Sequence, residues 1–158
     1  MTTDFWQAYR EYGPGIYNYL VWFLGNRQDA EDLTGTVFIK AREHIDSLQQ
    51  SAKIKQWLWA IARNTARNFI RDHKETVGLD AVPETPSPFS DNGHRQIRLR
   101  AALGRLERSD REIIMLREYQ DFSYGELAEL LETTVPGIKS RLYRARENLR
   151  QIYFHMEL

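Results

Sequence analysis

The sequence predicts an all-α protein made of two small helical domains. Apolar residues recur at the three- and four-residue spacing of a buried helix face along residues 1–74 and again along residues 95–158. Helix-capping patterns stand before several of these stretches. Between them, residues 75–94 hold three prolines and four acidic residues, so this segment resists helix formation and buries little apolar surface. We therefore expect a flexible acidic linker between two helical units.

The first helix is predicted to begin after Asp4, whose carboxylate can cap it. Gly13-Pro14-Gly15 is expected to interrupt this helix, because proline removes a backbone donor and glycine disfavours helical backbone. The helix is expected to resume at Ile16 and to stop at Gly25-Asn26.

Two further helices complete the first unit. One is predicted from about Asp29 to His44, with an apolar face of Ala30, Leu33, Val37, Phe38 and Ala41. After a polar loop, the next is predicted from about Ile54 to His73, with an inner stripe of Ile54, Leu58, Ile61, Ala62, Thr65 and Phe69. Trp57 is expected in the core. Trp59 falls outside the stripe and is expected on the flank of the outer polar face, which ends at Lys74; a core position for Trp59 is the alternative.

In the second unit, a helix is predicted from about Arg95 to Leu106, followed by two capping boxes that each start a helix. The boxes are Ser109 to Glu112 and Ser123 to Glu126. A three-residue turn then leads to Thr134, which is predicted to cap a long final helix. Pro136 is tolerated in the first turn of that helix, where no backbone donor is needed.

Composition and charge exclude several classes of protein. The chain has no cysteine, so it has no disulfide, thiol nucleophile or thiolate metal site. It has no apolar run long enough to cross a bilayer, and its first residues lack the basic start and apolar run of a signal peptide, so we expect a cytoplasmic location without membrane insertion. The net charge is +0, but residues 63–74 carry four basic and one acidic side chain, and residues 134–150 carry five and one. Local basic surfaces therefore matter more for binding than the net charge of the whole chain, because salt screens distant charges.

The end of the chain has the pattern of a helix-turn-helix, the strongest signal in the sequence. Two helices joined by a tight turn, the second of them basic, place the second helix in the major groove of duplex DNA. Its outward residues can contact bases and phosphates, the glycine through its backbone amide and the others through their side chains: Gly137, Lys139, Ser140, Arg141, Tyr143, Arg144 and Arg146. The alternative is a solvated basic helix that packs on a partner.

Two other surfaces are candidate sites. Aromatic, arginine and asparagine side chains on the third helix suit single-stranded nucleic acid, since bases stack on rings while arginines contact phosphates: Trp59, Arg63, Asn64, Arg67, Asn68 and Arg71. The second helix has a polar face with Asp29, Asp32, Thr36, Lys40 and Glu43. Paired carboxylates can bind metal or act as acid and base, but no Glu-x-x-His spacing accompanies them, so we expect a solvated or partner-binding face and no metal.

These motifs resemble the extracytoplasmic function group of bacterial sigma factors. Residues 29–42 look like the second conserved segment of that family, and residues 57–64 followed by 68–71 look like its promoter-melting segment. Residues 123–131 and 138–146 look like its helix-turn-helix. The four segments stand in the family's order, with the Pro-rich linker between the second and third.

The resemblance implies a sigma factor without enzymatic activity, cofactor or small-molecule substrate. Residues 1–74 would be region 2 and residues 95–158 region 4. The face that would dock on the clamp of the largest polymerase subunit comprises Asp29, Asp32, Thr36, Ile39, Lys40 and Glu43. The third-helix surface, with the loop 47–53, would capture the non-template strand at the minus-ten element. The residues from Lys139 to Arg146 would read the minus-thirty-five element, while region 4 would also bind the polymerase flap. The linker would run toward the RNA exit path. An anti-sigma factor is a further expected partner.

The sequence departs from the family pattern at two places. Gly35-Thr36 stands where the family usually has glutamine and an acidic residue, which puts two polar contacts to polymerase in question. Pro136-Gly137 stands where Gly-Thr or a similar pair is common, which questions a phosphate contact.

Three other interpretations are weighed against a sigma factor. A two-domain helix-turn-helix regulator would bind an operator as a dimer and without polymerase. A helical metalloenzyme would use Asp29, Glu31, Asp32 and His44 or His73. A paralogue that sequesters polymerase without initiating transcription is suggested only by Gly35-Thr36.

Overall fold

A computed structural model describes residues 4–48, 50–73 and 93–156 of the chain. Every regular element in these ranges is helical, and the chain divides into two compact units, Met1–Val77 and Gly78–Leu158. The predicted all-α class with two helical units is confirmed. Lys74, residues 75–92 of the predicted linker and the last two residues lie outside the described ranges. The first helix of the second unit begins at Gly93, two residues before its predicted start.

The first unit is a bundle of three helices that all contact one another: α1 (Phe5–Leu24), α2 (Arg27–His44) and α3 (Ile54–Asp72). Two short 3₁₀ turns, Ile45–Ser47 and Ser51–Lys53, lie between α2 and α3. The core contains the following buried apolar side chains: Ile16, Tyr19, Leu20, Val37, Phe38, Leu58, Trp59 and Ala62. Burial of this apolar surface supplies most of the driving force for the bundle.

Helix α1 begins and ends as predicted but is not interrupted. Its start is capped by Asp4, whose Oδ1 accepts a hydrogen bond from the Trp6 backbone N–H at 3.0 Å. Its end is marked by Gly25 in the left-handed conformation at φ 73°, and the Gly25 N–H donates to the Val21 carbonyl at 2.8 Å. The predicted break at Gly13-Pro14-Gly15 is wrong. Buried residues on both sides of this tripeptide pack the helix against the bundle, while the Pro14 ring is exposed. Tertiary packing thus outweighs the unfavourable propensity.

The two tryptophans of α3 are placed opposite to the prediction. Trp59 is only 1% exposed and packs edge-on against Tyr12, with ring centroids 6.1 Å apart, whereas Trp57 is half-buried. The spacing explains the error, because Trp59 lies three residues before Ala62 and seven before Ala66, on one face of the helix. The buried arc of α3 is wider than a single stripe and includes this face. Trp59 is therefore a core residue and is removed from the predicted DNA-contacting set.

The second unit contains α4 (Gly93–Arg105), α5 (Arg108–Ile114), α6 (Tyr124–Leu130) and α7 (Val135–His155). Helix α5 widens into a π-helical turn at Met115–Tyr119. Helix α7 is the centre of the unit and contacts the three other helices. Its buried face meets a core that includes Leu103, Leu106, Ile113, Leu116, Phe122 and Leu127.

One of the two predicted capping boxes is present. The Glu126 N–H donates to Ser123 Oγ at 3.1 Å, and the Ser123 N–H donates to Glu126 Oε1 at 2.9 Å. The box predicted at Ser109 is wrong, since α5 begins one residue earlier and Ser109 lies inside it, with Glu107 at the capping position and no side-chain cap. The buried Leu106 already closes α4 through its N–H to Leu103, so the chain turns into α5 before it reaches Ser109.

Candidate nucleic-acid interface

The helix-turn-helix predicted at the end of the chain is present. Helices α6 and α7 pack together across a turn at residues 131–134. The inner face of α7 consists of Ile138, Leu142 and Ala145. The side chains predicted to contact duplex DNA are all exposed: Lys139, Ser140, Arg141, Tyr143, Arg144 and Arg146. Tyr143 is 69% exposed, so its ring is available for a contact outside the unit.

The turn that directs α7 is a Schellman motif with an unusual residue. The Thr133 N–H donates to the Ala128 carbonyl at 2.9 Å, and the Glu132 N–H donates to the Glu129 carbonyl at 3.3 Å. This pattern requires a left-handed residue between the helices, and Glu132 occupies that position at φ 56°. Glycine is the usual residue there, because a side chain in this conformation is strained. The strained residue lies at the point that sets the direction of α7, the second helix of the helix-turn-helix.

The start of α7 explains the glycine at position 137. Thr134 caps the helix as predicted, and its Oγ1 accepts from the Gly137 N–H at 3.1 Å. A Cβ atom at Gly137 would lie 2.7 Å from Thr133 Oγ1 and 3.2 Å from Thr134 Oγ1. The two threonine hydroxyls therefore occupy the space that a side chain would need. In this chain Gly137 belongs to the capping arrangement.

Arg146 is tied to another helix of the unit. Its guanidinium donates to Glu118 in the π-helical turn, and the two side chains are 47% and 48% exposed. The hydrogen bond to Glu118 is the main reason that the pKa of Arg146 is raised, with a smaller contribution from Tyr124. Two residues farther along α7, Asn148 Nδ2 donates to Asp110 Oδ2 at 2.9 Å. These two contacts brace the recognition helix against α5 and its extension.

Two residues that the sequence analysis did not select lie beside the recognition helix. The Tyr124 ring, at the start of α6, has the Arg117 guanidinium carbon 4.4 Å from its centroid and Lys139 Nζ 5.8 Å from it. Arg117 also donates to the Phe122 carbonyl at 2.8 Å. No sequence signal identified Arg117, because the π-helical turn shifts it out of the 3.6-residue register on which the pattern analysis relied.

The exposed face of α3 carries most of the residues predicted for single-stranded DNA. Asn64, Arg67, Asn68 and Arg71 are exposed along one side of the helix, and Arg63 is half-buried. Arg71 Nε lies 3.3 Å from Asp72 Oδ1 in an ion pair open to solvent. At the end of α3, the His73 ring stacks on Phe69 with a centroid separation of 4.1 Å. An aromatic surface thus does accompany the basic face, but it comes from Phe69 and His73 and not from Trp59.

The predicted polymerase-binding face of α2 is largely exposed. Asp32, Ile39, Lys40 and Glu43 are exposed, and Asp29 and Thr36 are half-buried. Ile39 is 62% exposed, which leaves an apolar side chain in the middle of a polar face. Lys40 Nζ also reaches Thr65 Oγ1 of α3 at 3.3 Å, so this lysine links two helices of the bundle.

Gly35 and Thr36, the two residues of α2 that depart from the family pattern, have different local surroundings. A Cβ atom at Gly35 would have no neighbour within 4 Å, so packing does not require a glycine there. Thr36 Oγ1 donates to the Asp32 carbonyl at 3.2 Å, one turn earlier in the same helix. Its hydroxyl is therefore engaged with the backbone of α2.

Residues 4–48, 50–73 and 93–156 also bear on two other kinds of site, a metal centre and a membrane-spanning helix. Within these ranges no three His, Cys, Asp or Glu side chains are grouped closely enough to hold a metal ion. Over the same part of the chain, none of the helices combines the length and the apolar character needed to span a bilayer.

The chain is similar to known proteins over both units. Residues 8–76 match the family described as Sigma-70 region 2, and residues 96–149 match Sigma-70, region 4. The chain is 28% identical to the ECF RNA polymerase sigma factor SigM of Bacillus subtilis (strain 168), over 97% of this chain and 96% of that one. It is 31% identical to the ECF RNA polymerase sigma factor SigW of the same organism, over 89% of this chain and 83% of that one.

A solved structure shares the fold along nearly the whole length. The sigma factor RpoE in complex with the anti-sigma factor NepR, from Bartonella quintana, superposes with a TM-score of 0.79 and 26% sequence identity. The alignment covers 98% of this chain and 99% of that chain.

Proposed function

The chain belongs to the extracytoplasmic function family of RNA polymerase sigma factors, and we propose on that basis that it binds core polymerase and directs it to promoters through two separate DNA contacts. The observation that carries this proposal is the pair of exposed basic helix faces, one on α3 and one on α7, in two different units. A sigma factor needs one surface for an opened strand and another for duplex DNA. In this role the protein needs no catalytic group, cofactor or small-molecule substrate of its own, and it works in the cytoplasm with polymerase.

The duplex contact belongs to α7. The exposed face of this helix meets the major groove of the minus-thirty-five element through Lys139, Ser140, Arg141, Tyr143 and Arg144. Arginine donates to guanine O6 and N7, serine serves either base type, and Lys139 lies at the edge of this face, where it contacts backbone phosphate. Arg146 lies farther along the helix and is held by Glu118, which makes it a backbone contact at most.

The single-strand contact belongs to α3. Asn64, Arg67, Asn68 and Arg71 present hydrogen-bond donors on one exposed face, with Arg63 at its edge. Donors of this kind reach both phosphates and the edges of unpaired bases, and the stacked Phe69–His73 pair offers an aromatic surface beside them. The non-template strand of the minus-ten element is the proposed ligand.

Polymerase binding is assigned to α2 in the first unit. An exposed isoleucine between carboxylates suits a protein partner, because burying Ile39 gains apolar contact while Asp32 and Glu43 supply charge at the rim. The partner is the clamp of the largest subunit, and the flap would bind the second unit. Since RpoE of Bartonella quintana is found with an anti-sigma factor, we extend that class of partner to this chain.

Run-off transcription tests the proposal. Purified core polymerase is combined with the full chain and with genomic fragments from the organism that encodes it, and start sites are mapped. We expect initiation at a discrete set of sites that depends on the added chain. The triple variant Lys139→Gln, Arg141→Gln, Arg144→Gln should lose these transcripts, whereas the control variant Arg105→Gln, which also removes an exposed arginine from the second unit, should retain them.

A second measurement separates this role from an operator-binding regulator. A gel shift without core polymerase should show only weak duplex binding for a sigma factor. Tight, sequence-specific binding in the absence of polymerase, with no start site created by the chain, would favour the regulator and contradict the proposal.

A further inference from the structure

The Tyr124 ring lies between cationic side chains from two different parts of the helix-turn-helix unit. Arg117 comes from the π-helical turn after α5, and Lys139 comes from the second turn of α7. The guanidinium carbon and the ammonium nitrogen lie 4.4 Å and 5.8 Å from the ring centroid, within the range of cation–π attraction. Tyr124 is itself anchored, as the first residue of α6 behind the Ser123 capping box. One ring thus lies within cation–π range of two positive charges.

The three nearby cations differ in how they are compensated. Arg146 has Glu118 as an ion-pair partner. Within the described residues, neither Arg117 nor Lys139 has a carboxylate within ion-pair distance: Arg117 donates to a backbone carbonyl, and Lys139 Nζ lies over the Tyr124 ring. Two like charges held beside one ring repel each other, and an anion placed there would relieve that repulsion. The cluster therefore carries an excess of positive charge next to the exposed face of α7.

We propose that Tyr124 is a positioning residue for DNA binding, whose ring holds Arg117 and Lys139 in place as contacts to backbone phosphates of duplex DNA. This inference rests on the proposed function, since it adds a backbone contact at the edge of the same helix-turn-helix. Phosphate contacts determine how a recognition helix is seated in the groove, while base contacts read the sequence. Arg117 lies outside both helices of the motif, so the contact surface extends to the helix that precedes it.

Salt dependence of DNA binding tests the inference in the full chain. The probe is a fluorescently labelled random-sequence duplex, and the dissociation constant is measured over a salt series. Each lost phosphate contact should lower the slope of log K against log salt by ~0.9. Arg117→Gln and Lys139→Gln should each show this loss.

Tyr124→Leu, which removes the ring but leaves both cations, should weaken binding by roughly 5–10-fold at low salt and should lower the slope as well. Tyr124→Phe keeps the ring and should stay within about twofold of the unchanged chain.

A double-mutant cycle distinguishes positioning from a general structural role. When Tyr124→Leu is added to the variant that already lacks both cations, it should have no effect on affinity or slope beyond that of Tyr124→Phe, because the hydroxyl contacts Arg146 while the ring acts through the two missing cations. If Tyr124→Leu lowers affinity equally in both backgrounds, or leaves the slope unchanged, the inference is wrong. Amide hydrogen exchange of α6 and α7, measured on the same samples, shows whether that loss comes from unfolding.

The two proposals can fail independently. If the unchanged chain supports no promoter-specific transcription, the sigma-factor role is wrong, yet the slopes on random duplex still decide the role of Tyr124. If transcription is promoter-specific but the slopes do not follow the ring, only the positioning role is lost.

Discussion

Arg98 of α4 donates to the carbonyl oxygen of Tyr153 near the end of α7, with 2.7 Å between Nε and the oxygen. A second bond runs from Nη2 to the Met156 carbonyl at 3.0 Å, and the guanidinium carbon lies 5.1 Å from the Tyr153 ring centroid. The last carbonyls of a helix have no partner within it and carry a partial negative charge. Arg98 satisfies two of them and places a positive charge where the helix dipole favours it. Helix α7 thus ends at His155 against α4, and its C-cap residue Met156 is buried.

Replacing Arg98 by methionine should lower the free energy of unfolding of the second unit by about 1.5–3 kcal/mol, because two charge-assisted hydrogen bonds are lost. Arg95→Met, an exposed position on the same helix, is the control and should change it by less than about 0.5 kcal/mol. All four tryptophans lie within the first 59 residues, so tryptophan fluorescence does not follow this unit. Amide hydrogen exchange of α7 is the suitable measurement, and equal protection in both variants would contradict the expectation.

Trp59→Ala should destabilise the first unit by about 3–5 kcal/mol, since a large core side chain is removed and a cavity remains. Trp57→Ala, two residues away on the half-buried side of α3, is the matched control and should have a smaller effect. Urea unfolding followed by the fluorescence of the remaining tryptophans gives both values. Similar losses of unfolding free energy in the two variants would contradict the difference in burial between Trp59 and Trp57.

Glu132→Gly should stabilise the second unit by about 0.5–1 kcal/mol. The gain comes from relief of the left-handed strain, reduced by the greater chain entropy of glycine in the unfolded state. Glu132→Ala removes the same charge without relieving the strain, so it should bring no such gain. Hydrogen exchange of α6 and α7 compares the two variants, and a stabilisation by alanine equal to that by glycine would assign the effect to charge.

Glu118→Gln should strengthen DNA binding by releasing Arg146 toward phosphate, with a steeper salt slope by ~0.9. Its effect on folding should stay below about 1 kcal/mol, because the pair is about half exposed and solvent screens it. The control is Glu107→Gln, which removes a charge at an exposed position between α4 and α5. If both variants steepen the slope equally, net charge and not Arg146 accounts for the change.

Alkaline pH should weaken the second unit through Tyr119. Burial raises the pKa of this phenol above its ordinary value of 10.0; the Glu118 carboxylate also raises it, while Arg100 acts in the opposite direction. Above pH 10 the unfolded chain therefore releases the proton before the folded chain does, and stability falls as the pH rises toward the folded pKa. Part of the decrease in the free energy of unfolding between pH 8 and 11 comes from this phenol, and in Tyr119→Phe that part should be absent. Urea unfolding followed by circular dichroism across that range measures the difference, and identical pH profiles would contradict it.

Local chemistry was enough to predict much of this protein from its sequence. Apolar periodicity identified the helices, and the caps at Asp4, Ser123 and Thr134 marked starts that the structure confirms. These features involve residues within four positions of one another, so the chain encodes them without reference to the fold. The same holds for the exposed basic faces of α3 and α7, which follow from the helical repeat alone.

Only the tertiary structure decided which competing tendencies prevailed. Pro14 failed to break α1 because both flanking segments are packed in the bundle, and Trp59 entered the core because Tyr12 and the neighbouring helices surround it. The cluster of Arg117, Tyr124 and Lys139 and the pairing of Arg146 with Glu118 unite residues from separate helices. A one-dimensional pattern contains no distance between such residues, since that distance is set by how whole helices pack.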